Sequence, residues 1–312
     1  MDNLIVSSSP HIHSHVTTQG VMRDVLIALL PAAVASVVLF GFKAALIICV
    51  CVVGAVLSEF FFNMIVKKKQ TVGDLSAAVT GLLLALNLST KVELWQCLLG
   101  SVFSIVVVKC LFGGLGKNFA NPAISGRVFL IIAFSSTVAG GMQTQFAEIA
   151  SGATPLEAIK NGGELPSLID MLIGNRGGAI GETCAIALLL GFAYLLIRKV
   201  ISWHIPVVYV ATVFVLSLII KQDLNAALYQ VLGGGLLIGA IFMATDYVTS
   251  PTGRAAKIVF ALGCGIITVL IRFWGSYPEG VSFAILFMNI LSPYIEKIHI
   301  IKPLGGIKNV KK

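Results

Sequence analysis

Charge is what this chain has least of. Only 12% of its 312 residues are Asp, Glu, Lys or Arg, about half the share of a soluble domain. Acidic residues are the scarcer kind, 14 against 22 basic ones. A water-facing surface cannot be covered with so little charge. The 57% of hydrophobic residues and a mean hydropathy of +0.96 point to a bilayer. The six cysteines (Cys49, Cys51, Cys97, Cys110, Cys184, Cys264) show neither metal-ligand spacing nor a disulfide-scaffold pattern. They lie in or beside apolar runs and read as small buried hydrophobes. No glycine-rich strand–helix unit for a dinucleotide and no iron–sulfur cysteine array is present. The first 22 residues are polar, without the apolar core and cleavage site of a signal peptide. Basic residues are dispersed along loops, so no nucleic-acid partner is expected.

What the chain does have is apolar length. A helix needs about 20 apolar residues to cross a hydrocarbon core, and helices satisfy their own backbone there. Runs of that kind lie near 25–41, 43–66, 72–90, 93–112, 124–140, 180–201, 204–221, 228–246, 255–275 and 280–298. The expectation is an all-α integral membrane protein of about ten transmembrane helices. It would form one polytopic domain over 1–312. A cytoplasmic N-terminal segment, 1–24, leads into a first five-helix half, 25–140. An external loop, 141–179, connects it to a second half, 180–298, and a basic tail, 299–312, follows. With the N-terminus inside, Lys and Arg number 16 on the cytoplasmic side and 6 on the other, as the positive-inside rule requires. The tail is suited to anionic lipid headgroups.

Thr80–Thr90 (TGLLLALNLST) and Gly239–Thr249 (GAIFMATDYVT) align at an offset of 159, bringing Asn87 onto Asp246. They close the third and eighth runs and would end on opposite sides, as two inverted five-helix halves require. Chance similarity between two apolar stretches is the competing explanation.

Several short stretches carry chemistry. Leu111–Arg127 (LFGGLGKNFANPAISGR) joins a glycine-rich turn to Asn121-Pro122-Ala123, where a helix can start with Pro in its first turn. It reads as an anion site at a helix start or as a tight connection. Met243–Arg254 (MATDYVTSPTGR) gathers Asp246, Thr249, Ser250 and Thr252 at a membrane edge, as a functional cluster or as helix-end capping. Glu59 lies about two turns inside the lysines Lys67–Lys69. It is either a functional intramembrane carboxylate or the partner of Lys109. His11, His13 and His15 suit a metal less well than a docking segment. Ser151-Gly152-Ala153-Thr154 places a hydroxyl in the long loop.

Together, Ser9-Pro10-His11-Ile12, Met22–Pro31 (MRDVLIALLP), Gly73–Ala77 (GDLSA), the Leu111–Arg127 stretch, SGAT, Met243–Arg254 and Tyr277–Asn289 (YPEGVSFAILFMN) resemble one family, in order and over nearly the whole chain. It is the family of RnfD, from the Rnf ion-translocating oxidoreductase, and of the related B subunit of the sodium-pumping NADH:quinone reductase. The resemblance implies a five-plus-five inverted repeat like that of urea and ammonium transporters. It implies a flavoprotein of the prokaryotic inner membrane, with both termini cytoplasmic, that passes single electrons between ferredoxin oxidation and NAD+ reduction while the complex exports Na+ or H+. The family's Thr, esterified to the FMN phosphate by a flavin transferase, corresponds to Thr154, within a motif that includes Ser151 and Gly152. Pro155 stands where the family has Ser or Thr. A second, non-covalent flavin, riboflavin, is implied, with Asn121, Asp246 and Thr249 as candidates to line it or an ion path. The partners implied are RnfA, RnfB, RnfC, RnfE and RnfG. The competing function is a channel or secondary transporter of small solutes, for which the Asn-Pro-Ala motif and the repeat speak.

Overall fold

The computed structural model describes residues 17–138, 154–161, 165–275 and 279–297. They are helical throughout, with no β-strand among them. The histidine tract, Ser151, Gly152 and the tail from 299 lie outside the described residues.

Two long helices open the chain, α1 (Thr18–Phe40) and α2 (Phe42–Ile65), with Gly41 between them at φ 73°. A short α3 (Ser76–Leu86) follows. Next, α4 (Leu94–Val102) continues as a π-helix over Phe103–Cys110, and α5 (Pro122–Ala133) and a one-turn α6 (Ser135–Val138) close this part. The connection holds α7 (Pro155–Asn161) and α8 (Leu168–Ile173). Then come α9 (Ala185–Ile197) and α10 (His204–Lys221). After them α11 (Leu224–Leu232) bends by 60° into α12 (Leu236–Ile238), which runs on as a π-helix over Gly239–Met243. The last two are α13 (Arg254–Trp274) and α14 (Val281–Glu296).

Each of the ten expected apolar runs contains helix, but the helices differ in length. Four helices, α1, α2, α10 and α13, are long and apolar enough to cross a bilayer alone, and the bent α11–α12 pair is a broken span or a re-entrant loop. The run at 72–90 yields a helix of only 11 residues and the run at 124–140 one of 12. Asn87 and Phe134 end them, each with non-helical dihedrals. The outer surface carries Phe42, Ile65, Ile132, Ile197 and Trp274, each more than two-thirds exposed. An apolar exterior of this kind suits a multi-pass membrane protein and no aqueous one.

The offset of 159 recurs in the helix starts. Ser76, Leu94 and Pro122 begin α3, α4 and α5; 159 residues on stand Gly235 and Gly253, which cap α12 and α13, and Val281, which begins α14. Contacts repeat as well: α2 packs on α3 and α4 as α10 packs on the α12 segment and α13, while α1 meets α9 and α5 meets α14. Close approach is built into two of these seams. A Cβ on Gly81 would lie 2.6 Å from Cys51 O of α2, and one on Gly191 2.3 Å from Ala28 O of α1. Small residues let membrane helices meet backbone to backbone.

Candidate functional site

Thr154 precedes α7 and caps it. Its hydroxyl oxygen accepts from Glu157 N (3.3 Å), while Thr154 N donates to Glu157 Oε2 (3.0 Å). This is the reciprocal arrangement of a capping box. Pro155 fits because the first helical position needs no amide donor. Thr154 is buried, and two residues on Leu156 lies against Gly233 and Gly234. Those glycines form the break between α11 and α12.

The break gathers charges that lie far apart in the sequence. Carbonyls at a helix end need partners inside a bilayer, and two buried arginines supply them. Arg176 donates to Leu232 O (2.7 Å), Glu182 O (2.8 Å) and Thr183 O. Arg272 donates to Gln230 O and to Gly233 O (3.1 Å). A third, Arg127, pairs with Glu279 and donates to Asn87 Oδ1 (2.8 Å). Glu182 faces Arg127 across Gly235: a Cβ there would stand 3.3 Å from Arg127 Nη1 and 3.5 Å from Glu182 Oε2. Arg127 Nε, Arg176 Nη1, Arg272 Nε and both Glu182 carboxylate oxygens find no hydrogen-bond partner among the described residues. Three guanidinium groups against two carboxylates leave the cluster cationic, with donors and acceptors both unpaired among the described residues.

An anionic phosphoester beside this cluster therefore meets complementary charge. Among the described residues Thr154 Oγ1 accepts a hydrogen bond and donates none.

A second constellation lies at the other end of α3. Asn121 caps α5, its Oδ1 accepting from Ala123 N (3.0 Å) and Ile124 N (3.3 Å), while its Nδ2 donates to Met243 O (3.3 Å). The cap consumes the free amides of that helix start, so the Leu111–Arg127 stretch is a tight connection and its anion-binding alternative falls. Asn121 and Asp246 line one cleft with Ser76, Thr80 and Lys109. Thr249 stands behind it, its hydroxyl donating to Asp246 Oδ2 (3.2 Å), and Val248 N bonds Asp246 Oδ1, which is turn capping. The cleft encloses a cavity of about 80 Å³, room for a few waters. A tricyclic isoalloxazine does not fit it with the side chains in these positions.

Glu59 resolves to its structural alternative. Lys109 Nζ lies 2.9 Å from both Glu59 oxygens and 2.6 Å from Ser76 Oγ, and Thr71 Oγ1 donates to Glu59 at 2.6 Å. Of the sequence candidates, then, Asn121, Asp246 and Thr249 converge; Thr154 stands apart, beside the arginine cluster; Ser151 and Gly152 lie outside the described residues. Arg127, Arg176, Glu182, Arg272 and Glu279 are site residues that the motifs do not single out. Their signal is nonetheless in the sequence, since each is a charge in or beside an apolar run.

The sequence profile of the NQR2, RnfD, RnfE family matches residues 5–305. The chain is 42% identical over 314 aligned residues to the D subunit of the Na(+)-translocating ferredoxin:NAD(+) oxidoreductase complex of Acetobacterium woodii, covering 99% of this chain and 98% of that one. It is 38% identical to the D subunit of the proton-translocating ferredoxin:NAD(+) oxidoreductase complex of Clostridium ljungdahlii, with 94% and 93% covered. To the D subunit of the ion-translocating oxidoreductase complex of Methanosarcina acetivorans it is 32% identical, with 99% and 100% covered.

Proposed function

The chain belongs to the NQR2, RnfD, RnfE family, and on that premise we propose that it is the membrane electron-transfer subunit of a ferredoxin:NAD+ oxidoreductase complex that exports Na+ or H+, with FMN joined to the Thr154 hydroxyl. The supporting observation is the setting of Thr154: a capping hydroxyl, anchored through Leu156 to a break lined by three buried arginines. When bound, the flavin supplies one-electron transfer. The protein's part is positional and electrostatic. Thr154 gives the attachment oxygen, and the guanidinium groups favour negative charge beside it. The apolar packing around them keeps water out.

The fold we infer is a five-plus-five inverted repeat in which ten helical passes, several of them short or bent, cross the prokaryotic inner membrane. Five elements per half put equivalent ends on opposite sides. Buried charges do not report sidedness. Removing the buried Lys109 and Arg127 from the 16 inside residues, and Arg176 and Arg272 from the 6 outside, leaves 14 against 4, which supports cytoplasmic termini. The other Rnf subunits would hold the NAD+ and ferredoxin sites, and a flavin transferase would load Thr154. Riboflavin at the Asn121–Asp246 cleft requires that cleft to widen. The paired short helices favour a second reading, a channel or secondary transporter.

One experiment separates the two. Protein produced with its flavin transferase, denatured and run on a gel, should fluoresce as a flavin band, and Thr154→Ala should abolish it. A dark wild-type band under those conditions refutes the flavoprotein.

A further inference from the structure

Two polar clusters approach each other from opposite ends of the bundle, and one side chain joins them. At one end the cleft lined by Ser76, Thr80, Lys109, Asn121 and Asp246 opens outward. Asn121 donates to Met243 O, and Asn87 Nδ2 comes within 3.6 Å of the Met243 sulfur. Asn87 Oδ1 accepts from Arg127 at 2.8 Å, and Arg127 pairs with Glu279, whose side chain is 20% exposed. The contacts thus run from the cleft through the carbonyl and the sulfur of Met243, past the ends of α3 and the α12 segment, to a carboxylate that reaches the surface. A file between the ends of broken helices is the route that transporter scaffolds offer an ion. In an ion-pumping complex an open file would dissipate the gradient the complex builds.

Arg127 is the link in this file between Asn87 and Glu279. It is 4% exposed. Asn87 and Glu279 hold it directly, and Glu182 faces it across Gly235. A fixed guanidinium repels mobile cations and protons alike, as arginines do in selective pores. At an effective dielectric of about 20, a lone guanidinium about 4 Å away suppresses a monovalent cation roughly a thousandfold, and the paired Glu279 carboxylate offsets part of that. We propose that Arg127 is a tethered cation that seals this file, so that a transporter-like scaffold conducts no ions through its centre. The sealing concerns ions alone; a dark band in the flavin test leaves it standing, and its own failure leaves the flavin reading untouched.

The test uses membrane vesicles containing the whole complex, without redox substrates. Passive uptake of radioactive sodium and collapse of an imposed pH gradient are followed. Arg127→Gln should raise one of these leaks by about tenfold or more. Arg127→Lys and Glu279→Gln, which keep the cation, should stay as tight as wild type. Tight Arg127→Gln vesicles carrying wild-type amounts of complex overturn the proposal. Leaky Arg127→Lys vesicles overturn it too, because packing rather than charge would then be the cause. Should Arg127→Gln alone fail to insert, the double variant Arg127→Gln/Glu279→Gln, which leaves no orphaned carboxylate there, is read in the same way.

Discussion

Removing one charge from the Glu59–Lys109 pair is the most stringent test of how the first half of the bundle packs. Both side chains are 2% exposed, so solvent neither screens the pair nor repairs its loss. At 2.9 Å and an effective dielectric of about 20, their attraction is ~6 kcal/mol. Most of that offsets the cost of taking two ions out of water, so the pair as a whole adds little. Breaking it is different. Lys109→Met abolishes the three contacts of Nζ with Glu59 Oε1, Glu59 Oε2 and Ser76 Oγ, leaving a buried carboxylate with Thr71 as its partner. The expected destabilisation is about 3–5 kcal/mol. Glu59→Gln should cost a similar amount, because it strands the ammonium. The double variant Glu59→Gln/Lys109→Met should regain most of the loss, giving a coupling energy of at least about 2 kcal/mol. Reversible unfolding in detergent, by helix signal against denaturant, measures all four corners of the cycle. Additive singles, or a Lys109→Met protein as stable as wild type, would refute a buried, mutually dependent pair.

Thr154→Ser should retain the fluorescent flavin band, since the attachment oxygen and the capping geometry both survive; a dark band shows that the methyl group matters to the transferase. Gly191→Leu should cost roughly 3 kcal/mol or prevent insertion, because the new side chain meets Ala28 O; membrane yield and melting temperature report it.

The positions of the helices are legible in the sequence because hydropathy is a local property. His204–Lys221 matches its expected run at both ends, and α2 lies within one residue of its own. The internal repeat is legible as a register, since the offset that pairs Asn87 with Asp246 also places the starts of α3, α4 and α5 on those of α12, α13 and α14. Arg127 is different: along the chain it counts as a cytoplasmic charge, and in the fold it is buried. Only a partner 152 positions away, Glu279, reveals where it sits, and no window of sequence contains both. The same holds for the segment before α9. Gly181 N and Ile180 N donate to Leu86 O (2.6 Å) and Leu88 O (2.9 Å), and so satisfy the end of α3 that makes it short.

The sequence alone determined the solvent of this protein: with so few charges and so many apolar runs, only a bilayer accepts the chain, as helices. It also carries the offset of 159 that recurs in the helix starts. Tertiary structure decided which helices stop halfway, that three arginines meet at one break, and that Glu59 serves Lys109. Those outcomes depend on which distant backbone groups and charges come within reach, and hydrogen bonds and ion pairs form over a few ångströms of space, not along the chain.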